Sequence, residues 1–255
     1  MATIHNNRKP ALLGVIVSAL MLLSASWAFA VAVPTWPSMT VQIGNETITQ
    51  NVSWNYNAVQ DRFLLANPFT ATASNGSTFT ISDAYAIPDP VLFFSASATN
   101  TTGAPLAYSF TFNTPLVPNL LGPVSSHAEL GVTLTDGLNN GATVQPAIPG
   151  GKMLTSFDLF ANGTPISKNV NIGDLFSILS GTAATTFSAD SQLVCGQACV
   201  TMSAILAFTL TGEDAAGFTG KVVQTQVVPI PAAAWLFGSG LISLAGAMRN
   251  KLSFA

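Results

Sequence analysis

Charge is scarce in this 255-residue chain: Asp, Glu, Lys and Arg make up only 7% of it, against 49% hydrophobic residues. Basic side chains are the scarcest of all in the long central stretch. Residues 33–226 hold four of them, Arg62, Lys152, Lys168 and Lys221, against all eleven acids, for a net charge of −7. Nucleic-acid binding rests on Lys and Arg neutralising phosphates, so this composition argues against a nucleic-acid partner. Histidine is nearly missing too. His5 lies in the extreme N-terminal segment and leaves His127 alone in the body, and one histidine cannot build a His-rich metal site. No Gly-rich phosphate loop and no dinucleotide fingerprint occurs, so no cofactor is expected. Helical periodicity is almost absent. Its best candidate is residues 174–179, a short apolar run between Gly173 and Gly181 with Asp174 as N-cap.

What is present is a β pattern. Residues 39–43, 77–82, 91–99, 108–112, 129–135, 151–160 and 219–225 read as strands, most of them alternating apolar and small polar side chains. Asn and Gly in pairs mark the turns at Gly44-Asn45 and Asn162-Gly163, and Asp136-Gly137 stops a strand. Residues 100–105 read as a hairpin loop. The most apolar run, residues 202–211, is expected at the centre of a sheet, with 219–225 as its partner. Short strands with regular turn signals argue for an all-β, single β-sandwich-like domain over residues 33–226. No repeat and no linker divides it.

Both ends differ from this body. Arg8-Lys9 precedes the apolar residues 11–27, and Ala28 and Ala30 stand at the −3 and −1 positions of a signal-peptidase site. The expectation is a signal peptide over 1–30, with 32 as an alternative end. Near the other end, Pro229 and Pro231 keep the chain extended. Residues 232–248 then form an apolar run of 17 residues, at the short edge of what spans a bilayer. Arg249 and Lys251 follow it. The positive-inside rule puts those two in the cytoplasm and the body outside.

Export through an oxidising compartment predicts that Cys195 and Cys199 are bridged, which four residues of straight strand would forbid, so a turn is expected there. The chemistry of the body is thin. Asp158, Asp174 and Asp190 are evenly spaced but match no carboxylate arrangement, and a glycosidase pair would have to be assembled by the fold. His127 reads as a loop residue before a strand. Asp136 to Asn140 offers oxygen ligands without the order of an EF-hand and reads as a turn before it reads as a calcium loop. Asn-x-Ser/Thr triplets at Asn45, Asn51, Asn75, Asn100 and Asn162 are expected by chance in so Ser/Thr-rich a chain. Trp36 and Trp54 are the only tryptophans available as glycan platforms between the two termini.

Residues 227–255 closely resemble the PEP-CTERM sorting tail of Gram-negative bacteria. The match lies in Pro229 and Pro231, the run Trp235, Leu236, Phe237, Gly238, Ser239, Gly240 and Leu241, and the basic Arg249 and Lys251. Ile230 stands where such tails usually have Glu, and Asn250 splits the basic cluster. The resemblance implies an exported protein processed by an exosortase-type enzyme after signal peptidase. It would be held transiently at the inner membrane and then delivered to the cell surface, biofilm matrix or extracellular polysaccharide layer. A non-catalytic structural or interaction role is the expectation. A carbohydrate-binding or calcium-dependent adhesive module is the alternative, and a secreted hydrolase the next.

Overall fold

A computed structural model describes residues 36–48, 52–166 and 170–227. The signal-peptide site at Ala28 and Ala30 and the whole sorting motif from Pro229 to Lys251 lie outside the described residues. Among the described residues no helix is long and apolar enough to cross a membrane.

The described residues form fourteen strands: β1 (Ser38–Ile43), β2 (Glu46–Ile48), β3 (Trp54–Asn57), β4 (Arg62–Leu65), β5 (Phe69–Thr72), β6 (Thr78–Ile87), β7 (Val91–Thr99), β8 (Leu106–Thr135), β9 (Ala142–Pro146), β10 (Leu154–Phe160), β11 (Val170–Ile172), β12 (Phe176–Ile178), β13 (Thr182–Leu210) and β14 (Ala215–Gln226). All pair antiparallel in one hydrogen-bonded sheet, whose main path runs β11-β10-β13-β8-β14-β7-β6-β4-β3. The all-β expectation holds.

Two strands organise this sheet. β8 and β13 are 30 and 29 residues long and pair with each other along almost their whole length. At about 3.3 Å per residue each would extend roughly 100 Å if straight. Both turn a corner instead. On β8 the corner falls at residues 117–122, with Pro118 and with Gly122 at φ +81°. On β13 the register slips on both sides of Cys199. The first part of β8 therefore pairs with β1, and its last part with β14. One sheet is folded into two facing layers.

The layers meet through aromatic rings. Phe110 of the first layer packs edge-on to Phe94 of the second at 5.2 Å and lies 5.6 Å from Phe79. Phe208 approaches Phe218 at 4.4 Å and stacks on Tyr108 at 5.2 Å. Alternation puts these rings inside: along β7, Leu92, Phe94, Ala96 and Ala98 are buried while the residues between them are not. Burial pushes the Tyr108 phenol up to about 12, with its hydroxyl donating to the Thr99 carbonyl at 2.9 Å.

Several sequence expectations change. Residues 174–179 are not helical: Phe176–Ile178 pairs with β9, and Asp174 forms an ion pair with Lys152 instead of capping a helix. Six residues give too few hydrogen bonds to offset helix nucleation, whereas β9 offers a ready ladder. Residues 202–211 are central, flanked by β8 and β10, but 219–225 is not their partner. β14 crosses to the other layer and pairs with β7 and β8. Residues 108–112 and 129–135 belong to one strand. Asp83 sits inside β6 at a bulge that extends the strand beyond residue 82.

Candidate functional site

The outward face of the second layer groups charged, aromatic and hydroxyl side chains on one surface. Strands β13, β8, β14, β7 and β6 present it side by side, and the register sets its rows. One row runs Ser188, Glu129, Lys221, Phe93 and Tyr85. Tyr85 and Phe93 are stacked at 4.9 Å with their planes 16° apart, and the Arg62 guanidinium lies 5.9 Å from the Tyr85 ring centre. That is cation–π distance.

The next row holds His127 between Asp190 and Val223. Its Nδ1 is 2.8 Å from an Asp190 oxygen and its Nε2 is 3.3 Å from a Glu129 oxygen. The bond to Asp190, then the bond to Glu129, hold the imidazole above its usual range. His127 is a strand residue, not the loop residue its sequence neighbours imply. With a carboxylate on each ring nitrogen, it presents no free edge to a metal or a substrate.

Toward the other end of the sheet the rows turn to hydroxyls: Thr133, Ser97 and Thr80, then Thr182, Thr135, Thr99 and Thr78. Thr135 and Thr182 approach at 3.2 Å, and Thr70 and Thr80 at 3.0 Å. Gly131 and Gly217 lack side chains, and Thr133, Thr186, Ser95 and Thr219 rim the shallow hollow they leave, about 310 Å³.

The other candidate residues are dispersed. Asp158 is buried between the layers, where it accepts 2.8 Å from the Gln224 amide. Asp174 is exposed beside Lys152. Asp190 is on the outer face. Asp136 turns its carboxylate back on its own loop, accepting from the backbone of Leu138, Asn140 and Gly141 at 3.1, 3.3 and 2.8 Å. Burial pushes that carboxyl up, and these backbone donors outweigh it and leave it below the usual range. Asp214 accepts from Gly137 N–H and from the Thr211 hydroxyl at the same loop. These bonds support the turn reading of 136–140 over a calcium loop.

Trp54 is 9% exposed and stacked on Phe112 at 5.4 Å, so it is a core residue and not a glycan platform. Asn100 is buried, and its amide donates to the carbonyls of Ala104, Leu210 and Thr211, which removes it as a glycan acceptor. Cys195 and Cys199 are bridged, with Cα atoms 6.0 Å apart, at the corner of β13. Asp158 lies beside that bridge. The sequence offers no reason to group Arg62, Tyr85, Phe93 and Lys221. Phe93 falls in the run read as a strand over 91–99, but only pairing across four strands puts the four residues together.

No protein-family model and no curated protein matches this sequence. Solved structures that share part of its shape include the enzymatically active domain of a bacteriophage CBA120 tailspike, at 10% identity and TM-score 0.27 over 68% of this chain. The match spans 20% of that tailspike chain. A family 11 carbohydrate-binding module from Clostridium thermocellum matches at 10% identity and TM-score 0.23, over 70% of this chain and 99% of the module. A cyclase from Fischerella matches at 9% identity and TM-score 0.26, over 65% of this chain and 87% of its own. Likenesses of this size establish neither fold nor function for this chain.

Proposed function

We propose that this is an exported, exosortase-sorted protein of the cell surface or extracellular polysaccharide layer. Its role is structural or adhesive, and the body is a β-sandwich that offers one flat face to polysaccharide. The observation that carries the polysaccharide contact is the open outer face, where a stacked Tyr85–Phe93 pair with Arg62 adjoins rows of Thr and Ser hydroxyls. Sugar rings present apolar C–H faces and hydroxyl edges, and this surface has a counterpart for each.

The tail carries the sorting half of the reading: Pro229 and Pro231, the run from Trp235 to Leu241, and Arg249 and Lys251. A non-catalytic role is supported by the setting of the acids: the one close pair, Asp190 and Glu129, lies on an open strand face with His127 bonded between the two carboxylates, and no cleft runs between them. Glycoside hydrolysis takes two carboxyl groups about 5–10 Å apart across a cleft, and Asp158, Asp174 and Asp190 occupy an interior, a loop and an open face.

The test is affinity electrophoresis of the full chain through gels containing the host's extracellular polysaccharide. Retardation that falls at least fivefold in the Tyr85→Ala/Phe93→Ala variant is expected. Equal mobility of the two proteins with and without polysaccharide would remove the glycan role. The sorting half is checked separately, by the mass of the protein in cells with and without the exosortase. An intact C-terminus in both would exclude processing.

A further inference from the structure

We infer that one end of the second layer rests on the membrane while the chain is anchored, through the exposed apolar side chains Leu121, Pro123, Val194 and Val227. The inference rests on the reading of residues 232–248 as a membrane helix, and it names the surface that faces the lipid.

The patch follows from register. Val194 pairs with Pro123, and the Val227 N–H donates to the Pro123 carbonyl at 2.9 Å. Three neighbouring strands thus place Val194, Pro123 and Val227 in one row on the outward face. Leu121 is exposed two residues before Pro123, inside the corner. All four are exposed, Val194 at 65%, Leu121 at 56% and Val227 at 44%. The strand segments that carry them are uncharged: residues 114–126, 191–205 and 222–227 contain no Asp, Glu, Lys, Arg or His. An exposed acid near them in the sheet is Asp89, in the turn between β6 and β7, whose flanking Pro88 and Pro90 accept from the backbone of Val117 and Gln224.

The patch is also where the chain leaves the sheet. Only residues 228–231 separate Val227 from the apolar run that begins at Ala232. Four residues reach at most about 14 Å fully extended. The headgroup layer on one side of a bilayer takes up about 6 Å of that. A sheet end tethered so closely meets the headgroups, and an uncharged apolar row can enter that boundary without desolvating an ion. The opposite end is more acidic: Leu138 and Leu179 are exposed there, but Asp136 stands in the loop of Leu138, and Glu213 and Asp214 stand in the adjoining β13–β14 loop, where Asp214 accepts from the Gly137 N–H.

The experiment uses the full chain in vesicles of phosphatidylethanolamine and phosphatidylglycerol, with and without a nitroxide on the headgroup. Leu121→Trp is compared with Ser97→Trp, which lies level with Thr133, twelve residues or roughly 40 Å along β8 from Leu121. Each variant is its own reference, so quenching by the nearby disulfide cancels. The emission added at 121 is expected to fall at least twofold with the nitroxide, and that added at 97 to stay unchanged. If the chain resists alkaline extraction but emission at 121 is unaffected, the lipid-facing surface is wrong and the anchor stands. A blue-shifted, unquenched residue 121 means that a second copy or the tail covers the patch, which also overturns the inference. If alkali extracts the chain, the anchor reading fails and this inference fails with it.

Discussion

His127 has a carboxylate on each ring nitrogen, and its protonation is coupled to both. Its folded pKa lies above the unfolded value of about 6.5. The pairing therefore stabilises the fold fully below the unfolded pKa and is lost as pH rises through the folded one. The groups are largely exposed, so after solvent screening the effect is no more than about 1 kcal/mol. An NMR titration of the His127 ring should place its pKa above 6.5, and Asp190→Asn should lower it. A ring that titrates identically in both proteins would mean that Asp190 does not hold it. Gly220 makes a different kind of demand. A Cβ there would lie 2.2 Å from Cζ of Phe94, whose ring covers the glycine from the paired strand. Gly220→Ala should therefore cost about 1–3 kcal/mol through overpacking, read as a lower urea midpoint. Gly196→Ala, where no atom lies within 4 Å, should leave the midpoint almost unchanged.

At the scale of elements the corner of β8 and β13 matters most. The disulfide closes a four-residue separation across the irregular stretch of β13 where the register slips. Chain-entropy arguments assign so short a loop about 2 kcal/mol. The Cys195→Ser/Cys199→Ser variant should melt about 4–8 °C lower, at 2–4 °C per kcal/mol for a domain of this size. An unchanged melting temperature would mean that strand pairing alone holds the corner. The same elements show what was legible in the sequence. Alternation located β1, β7, the start of β8 and β10 because each buries one face. The corner was half legible, since the Cys pair implied a turn. The continuity of β8 through Pro115, Pro118 and Pro123 was not, because prolines ordinarily end central strands. Residues 174–179 misled for a physical reason too: a short apolar run between glycines fits a helix turn and an edge strand equally well.

At the scale of the whole molecule, β8 and β13 belong to both layers, so neither layer can lose its ladder without the other. Phe110, Phe94, Phe208 and Phe218 join them through one core. Unfolding in urea should give a single transition, coincident by far- and near-ultraviolet circular dichroism. Two separated transitions would show that the layers unfold independently. The outer face is likewise a property of the whole. Arg62, Tyr85, Phe93, Lys221, Glu129, His127 and Asp190 come from six strands, and nothing in their spacing along the chain groups them. The sequence by itself determined the β class, the acidic and nearly base-free body and the resemblance of the tail, because alternation, charge and short motifs are local properties. Only the tertiary structure decided which strands are neighbours, that Trp54 and Asn100 are interior, and that an aromatic pair and rows of hydroxyls share one face. Those depend on pairing between residues from tens to more than a hundred positions apart, and the folded sheet alone sets that register.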